Sequence, residues 1–113
     1  MQKAETLEAP NPATLDQLAV ASENAVRLLR AMGHGQRLRI LCMLLQGPRS
    51  SGEIARALAV REPAASQQLA LLRGEGLIDA RRDGQRVFYS IVSPVIAGIV
   101  GVLQQEFCPP DPA

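Results

Sequence analysis

The stretch from Ser50 to Arg73, SSGEIARALAVREPAASQQLALLR, constrains the fold more than any other part of this chain. It holds two short amphipathic segments with room between them for only a tight turn. Ser50 or Ser51 can cap the first helix, and Glu53 stands where a capping-box carboxylate belongs. Ile54 and Leu58 are four apart and share a face, and Val60 closes the turn into that face. Pro63 suits the first turn of a second helix, where its missing N–H is not needed. Leu69 and Leu72 point inward with Ala65 behind them, while Ser66, Gln67 and Arg73 form a polar face. Helix, short turn and polar-faced helix is the form of a helix-turn-helix. A plain helical hairpin has the same pattern, so the flanks must separate the two readings.

Charge is the first flank. The formal net charge of +1 hides a segregation. Residues 27–86 carry eleven arginines and five acids, whereas residues 1–26 hold one lysine and four acids and residues 87–113 hold two acids. A basic middle carrying the helix-turn-helix is what phosphate neutralisation needs, and the acidic ends are expected to lie away from DNA. An ordinary arginine-rich surface would look the same in one sequence.

The second flank follows the helix-turn-helix. Gly74-Glu75-Gly76 ends the polar-faced helix, and the period then changes. Residues 77–82 and 85–91 alternate loosely as strands do, with Asp83-Gly84 between them as a two-residue hairpin signal. Arg81, Arg82 and Arg86 fall near the tip. A basic-tipped hairpin directly after a helix-turn-helix is a wing, and its arginines can reach phosphates or the minor groove. The order favours DNA binding over the plain hairpin.

The remaining elements are helical. Residues 1–13 contain two prolines and are expected to form a flexible arm. A first helix runs from Thr14, its cap, to Met32, with an apolar surface broader than one core needs. Gly33-His34-Gly35 breaks it, and His34, the one histidine, reads as a turn or cap residue. Gln36 to Gln46 is the nearly all-apolar central helix, with Arg37 and Arg39 on its exposed N-terminal part and Cys42 inside it. Ser93 caps and Pro94 opens a last helix that again covers more than one face. First and last helices are therefore expected to form a homodimer interface through Leu18, Ala25, Leu29, Val95, Ile99, Val102 and Leu103. The other reading is that both helices complete one small core. Residues 14–108 make a single domain and 109–113 a flexible Pro-rich tail. The expected architecture is mainly α with a small β-hairpin wing, in the order α-α-α-α-β-β-α.

MQKAETLEAPNP lacks the apolar core of a signal peptide, and no segment is long enough to span a bilayer, so a cytoplasmic protein without a membrane partner is expected. Nothing in the chain has the make-up of a catalytic triad, a carboxylate pair in a cleft or a phosphate loop, and no enzyme activity or cofactor is expected. For base edges the candidates are Ser66 and Gln67, with Gln68 close behind. Arg61, Arg73, Arg81, Arg82 and Arg86 are candidates for phosphate or minor groove, and Arg73 is equally a structural ion-pair residue.

From Ala31 to Ile91 the chain closely resembles the ArsR/SmtB winged-helix repressors. The resemblance rests on AMGHGQRLRILCMLL, the helix-turn-helix, LLRGEGLI and the wing DGQRVFYSI. It implies a homodimer on operator DNA, held together by first and last helices. Two metal-sensing patterns of that family are absent here: Gly52-Glu53-Ile54-Ala55 has no thiol pair, and the last helix has no histidine. No metal is expected. The two cysteines resemble the pair of the sulfide- and persulfide-responsive SqrR/BigR branch and the HlyU-type redox regulators, with LCMLL around Cys42 and QQEFCP around Cys108. Carried over, the pair would be bridged by sulfane sulfur, or by an oxidant as a disulfide, and release DNA. Two other readings stay open: Cys42 as core filler with Cys108 an incidental tail thiol, and a winged helix that works through protein contacts.

Overall fold

The computed structural model describes residues 13–108. Five helices and three short strands follow one another as α1 (Leu15–Met32), α2 (Gly35–Leu45), β1 (Arg49–Ser50), α3 (Ser51–Leu58), α4 (Glu62–Gly74), β2 (Ile78–Asp83), β3 (Arg86–Ile91) and α5 (Pro94–Phe107). Local chemistry fixes the helix starts. Thr14 caps α1 in a capping box with Gln17, Ser50 caps α3 in a second one with Glu53, and Ser93 caps α5. Pro63 and Pro94 occupy the first turns of α4 and α5, where no N–H is required. His34 is the N-cap residue of α2 but makes no side-chain cap bond.

α2 is the hub. It touches all four other helices and β3, and its Ile40 and Leu41 are fully buried. Ile54 of α3, Leu69 and Leu72 of α4, Leu77, Ile78, and Ile96 and Val100 of α5 complete the core. Leu69 and Leu72 are inward, with Ala65 beside them, as their spacing predicts. α1 is different: within the helix only Ala31 and Met32 are buried, while Leu15, Leu18, Val20, Val26 and Leu29 face solvent. Val95, Val102 and Phe107 of α5 are likewise exposed. Both terminal helices thus carry more apolar surface than this core uses.

Two features of the β region depart from the sequence reading. A short β1 pairs with β3, Arg49 opposite Tyr89 and Ser50 opposite Phe88, so the wing is part of a three-stranded sheet in the order β1-β3-β2. Two residues are too few to show a period. The hairpin loop is also shifted by one residue. Asp83 pairs with Arg86, and the loop is Gly84-Gln85 with Gly84 at φ +66°. Glycine at the first loop position is the type II′ arrangement, whereas Asp83-Gly84 as the loop would need positive φ at both residues. The shift decides which way each wing residue faces.

The turn between α3 and α4 holds a third departure. Ala59 adopts left-handed φ, +58°, at the helix end. The Val60 N–H donates to Ala55 O and the Ala59 N–H to Arg56 O, a Schellman closure that brings Val60 back over the helix. Val60 thus closes into the helix face as the sequence predicts; what the sequence did not signal is the left-handed Ala59, because glycine usually fills that position.

Candidate DNA interface and the cysteine groove

α4 is the second helix of the helix-turn-helix. Ser66 and Gln67 stand exposed on its N-terminal half, opposite buried Ala65, Leu69 and Leu72. Arg61 precedes the helix at its N-cap, exposed. Among the described residues these three side chains make no hydrogen bond or ion pair.

Gln68 is held differently. It is half-buried, and its Oε1 accepts from Arg37 Nη1 at 3.2 Å. Arg37 was expected on the exposed part of α2, yet it is half-buried and bridges three elements. Its Nε donates to Ala31 O at 2.7 Å and its Nη2 to Arg30 O at 3.3 Å, so it caps the C-terminal end of α1 while gripping α4. The sequence signal was weak: an arginine in the first turn after a Gly-His-Gly break points back at the preceding helix end, but solvent would accept it equally well.

The wing arginines divide. Cross-strand pairs share a face, so Arg82 lies with Val87, and Arg81 lies with Phe88 on the opposite face. Both are exposed, and among the described residues neither joins an ion pair. Arg86 is anchored instead. Its Nη2 donates to Ser50 Oγ at 3.2 Å and lies 3.7 Å from Glu53 Oε1, and its guanidinium sits 5.0 Å from the Phe88 ring centroid. Arg86 ties the wing to the α3 capping box and is not a free tip residue. Arg73 pairs with Asp79 at 3.2 Å, the structural alternative of its two readings.

These contacts set the two carboxylates. The Ser50 backbone N–H donates to Glu53 at 2.9 Å and, with the Ser50 hydroxyl and nearby Arg86 and Arg49, holds its carboxyl below the usual range. The Ala80 N–H donates to Asp79 at 2.8 Å and, helped by Arg73, holds that carboxyl low as well.

The cysteines lie on the other side of α2. Cys42 is half-buried, Cys108 is exposed at the end of α5, and both thiols are free. Both line one open groove of about 550 Å³, walled by Leu38, Met43, Ala57 and Leu58 with Arg39 at its edge. Gln104 of α5 donates from Nε2 to the Cys42 carbonyl at 3.3 Å, which fixes α5 against α2 beside the pair. Of the interface candidates, Leu18, Ala25, Leu29, Val95 and Val102 are exposed, while Ile99 and Leu103 are half-buried against their own protomer. Among the described residues no group of three His, Cys, Asp or Glu side chains is placed to hold a metal ion, and no helix is long and apolar enough to cross a membrane.

Helix-turn-helix, basic wing and a core helix joining them define a class, the winged helix-turn-helix regulators. Residues 34–80 match the family described as "Bacterial regulatory protein, arsR family". The chain is 46% identical over 96 residues to the HTH-type transcriptional regulator YgaV of Escherichia coli, covering 84% of this chain and 97% of that protein. Reduced HlyU from Vibrio cholerae superposes with a TM-score of 0.80 at 39% identity, covering 83% of this chain and 99% of the other. The transcriptional repressor BigR from Xylella fastidiosa superposes with a TM-score of 0.75 at 30% identity, covering 87% and 100%. The chain belongs to the ArsR family of DNA-binding transcriptional regulators. Among its relatives are the HlyU and BigR regulators, the branch its sequence resembles.

Proposed function

We propose that this regulator is a dithiol-switched repressor: it binds a palindromic operator as a homodimer and leaves it when Cys42 and Cys108 become bridged by sulfane sulfur. The observation that carries the reading is the single groove lined by both cysteines, one from the hub helix and one from the end of α5. Bridging balances without a further oxidant. One thiolate takes the sulfane sulfur of a persulfide and releases a thiol. The second thiolate is persulfidated in the same way; one protein persulfide anion then attacks the inner sulfur of the other and expels hydrosulfide, leaving a trisulfide bridge that carries one added sulfur. A direct disulfide needs Cβ atoms within about 4.5 Å, whereas a longer sulfur chain spans a wider gap. Cys108, exposed, is the accessible nucleophile, and half-buried Cys42 the resolving thiol.

The DNA reading assigns Ser66 and Gln67 to base edges, and Arg61, Arg81 and Arg82 to phosphate or minor groove. Gln68, Arg73 and Arg86 position these elements through their internal partners. The exposed apolar sides of α1 and α5 support the dimer, which sets the spacing of two recognition helices on successive major grooves. Because α2 contacts every helix, a bridge that pulls α5 on α2 changes that spacing.

The test uses operator DNA selected from a random pool by the reduced protein. Reduced protein is treated with persulfide or with peroxide, then measured for intact mass and operator affinity. Added sulfur with lost binding supports the reading. Lost binding only with peroxide, with two hydrogens lost and no sulfur gained, supports the oxidant reading instead. Full operator affinity in treated wild type and treated Cys42→Ser alike ends both.

A further inference from the structure

A second cavity lies away from the cysteines, between the C-terminal turns of α1 and of α4. It encloses about 250 Å³ and is lined by Arg27, Arg30, Ala31, Arg37, Leu71 and Glu75. Three guanidinium groups meet one carboxylate there. Arg27 is matched by Glu75 at 3.4 Å. Arg37 uses three of its five N–H donors on two carbonyls at the end of α1 and on the neutral Gln68, and among the described residues it meets no carboxylate. Arg30 joins no ion pair among the described residues. Two positive charges therefore border a cleft whose remaining walls, Leu71 and Ala31, are apolar.

We propose that this cleft binds a small organic monocarboxylate and that α4 reads its presence through Arg37. A planar carboxylate fits the guanidinium fork, and the apolar walls take a hydrocarbon body. The carboxylate of Glu75 on the same rim disfavours compact multivalent anions. Glu75 lies eight residues beyond Gln67, about 12 Å along the helix, so the cleft is distant from the base-reading face. Arg37 links the two: it lines the cleft, and its guanidinium also donates to Gln68, the neighbour of Gln67, at 3.2 Å. An acid that draws Arg37 into the cleft releases Gln68 and lowers operator affinity. That last step rests on α4 being the DNA-reading helix; binding itself does not.

The experiment uses the full reduced Cys42→Ser chain, so that thiol chemistry plays no part. Benzoate is the probe, with benzamide as its neutral isostere and inorganic phosphate as a compact anion. Binding is followed by NMR on the arginine Nε–H and glutamine side-chain resonances, without DNA. Expected are saturable benzoate shifts at Arg30, Arg37 and Gln68, none with benzamide, and phosphate weaker than benzoate. Arg30→Gln, at an exposed position, should weaken benzoate about tenfold or more by removing a charged hydrogen-bond donor. Operator affinity should fall as the cleft fills. Absence of saturable shifts, or equal response to benzamide, overturns the site. Saturable shifts at constant operator affinity overturn the coupling to α4. If Arg30→Gln leaves benzoate binding unchanged but lowers the salt dependence of DNA binding, Arg30 is a phosphate contact and the site is overturned.

Discussion

Ser50→Ala tests how the helix-turn-helix is joined to its wing. Ser50 is the single polar residue buried among those described, and its hydroxyl serves two elements. It accepts from the Glu53 backbone N–H at 3.2 Å and from Arg86 Nη2 at 3.2 Å. Loss of an N-cap hydroxyl costs about 1 kcal/mol. Loss of the Arg86 bond adds about 0.5 kcal/mol, because Arg86 is largely exposed and water takes over the donor. The other half of the capping box, the Ser50 N–H to Glu53 Oε1, survives the substitution. The expected destabilisation is about 1.5 kcal/mol, or about 1 M in urea midpoint for a slope of ~1.5 kcal/mol/M, measured at fixed protein concentration. Ser50→Thr keeps the acceptor and should recover most of the loss. A loss under about 0.3 kcal/mol in Ser50→Ala, or equal losses in both variants, would refute the two-partner role of this hydroxyl.

Other expected outcomes are as direct. Ala59→Gly should stabilise the protein by about 0.5–1 kcal/mol in the same urea assay, since left-handed φ strains alanine by ~1–2 kcal/mol and glycine returns part of that as unfolded-state entropy; a loss of stability would mean the turn does not hold φ +58°. Glu53 has its carboxyl held below its ordinary 4.5, so the stability it contributes is present above that value and lost as pH falls through the lowered one. Glu53→Gln should therefore flatten the fall of stability below about pH 4.5, and an unchanged acid limb would remove Glu53 from the account. Arg82→Ala should weaken binding to all sequences and reduce the salt slope by about 0.9 per lost phosphate contact, while Gln67→Ala should relax sequence preference with the slope unchanged. Selection from a random pool at two salt concentrations reads both.

How legible these features were depended on whether the chemistry is local. Caps and helix starts need only near neighbours, so Thr14, Ser50, Pro63 and Ser93 declared themselves, and so did the inward set Ile54, Leu69 and Leu72. Side chains with long reach did not. Arg37 and Arg86 look like surface charges in sequence, yet each bonds groups on another element, Gln68 at a separation of 31 and Ser50 at 36. A guanidinium donates to water or to protein oxygen alike, and only the fold decides. The hairpin register failed for a related reason: Asp-Gly and Gly-Gln loops differ by one residue and by the sign of a single φ, which alternation too loose to fix a face could not choose. That Cys42 and Cys108 line one groove follows from no local pattern, since they are so far apart in sequence, and the proposal that they are bridged came from family resemblance alone.

The dithiol proposal carries a thermodynamic obligation that an affinity measurement alone does not discharge. If a bridge weakens operator binding, the operator must oppose bridge formation by the same factor, because the two equilibria close a cycle. For a two-electron couple each tenfold of coupling per bridge corresponds to about 30 mV. For the direct disulfide of the oxidant reading, DNA favours the reduced protein, so operator-bound protein should show a disulfide potential more positive by about 30 mV for every tenfold of affinity lost per bridge. Redox titration with and without saturating operator measures this directly. A large loss of DNA binding on oxidation, with identical potentials in both titrations, would break the cycle. The loss would then come from aggregation or damage of the treated protein, and the groove beside α2 would hold two thiols without being a switch.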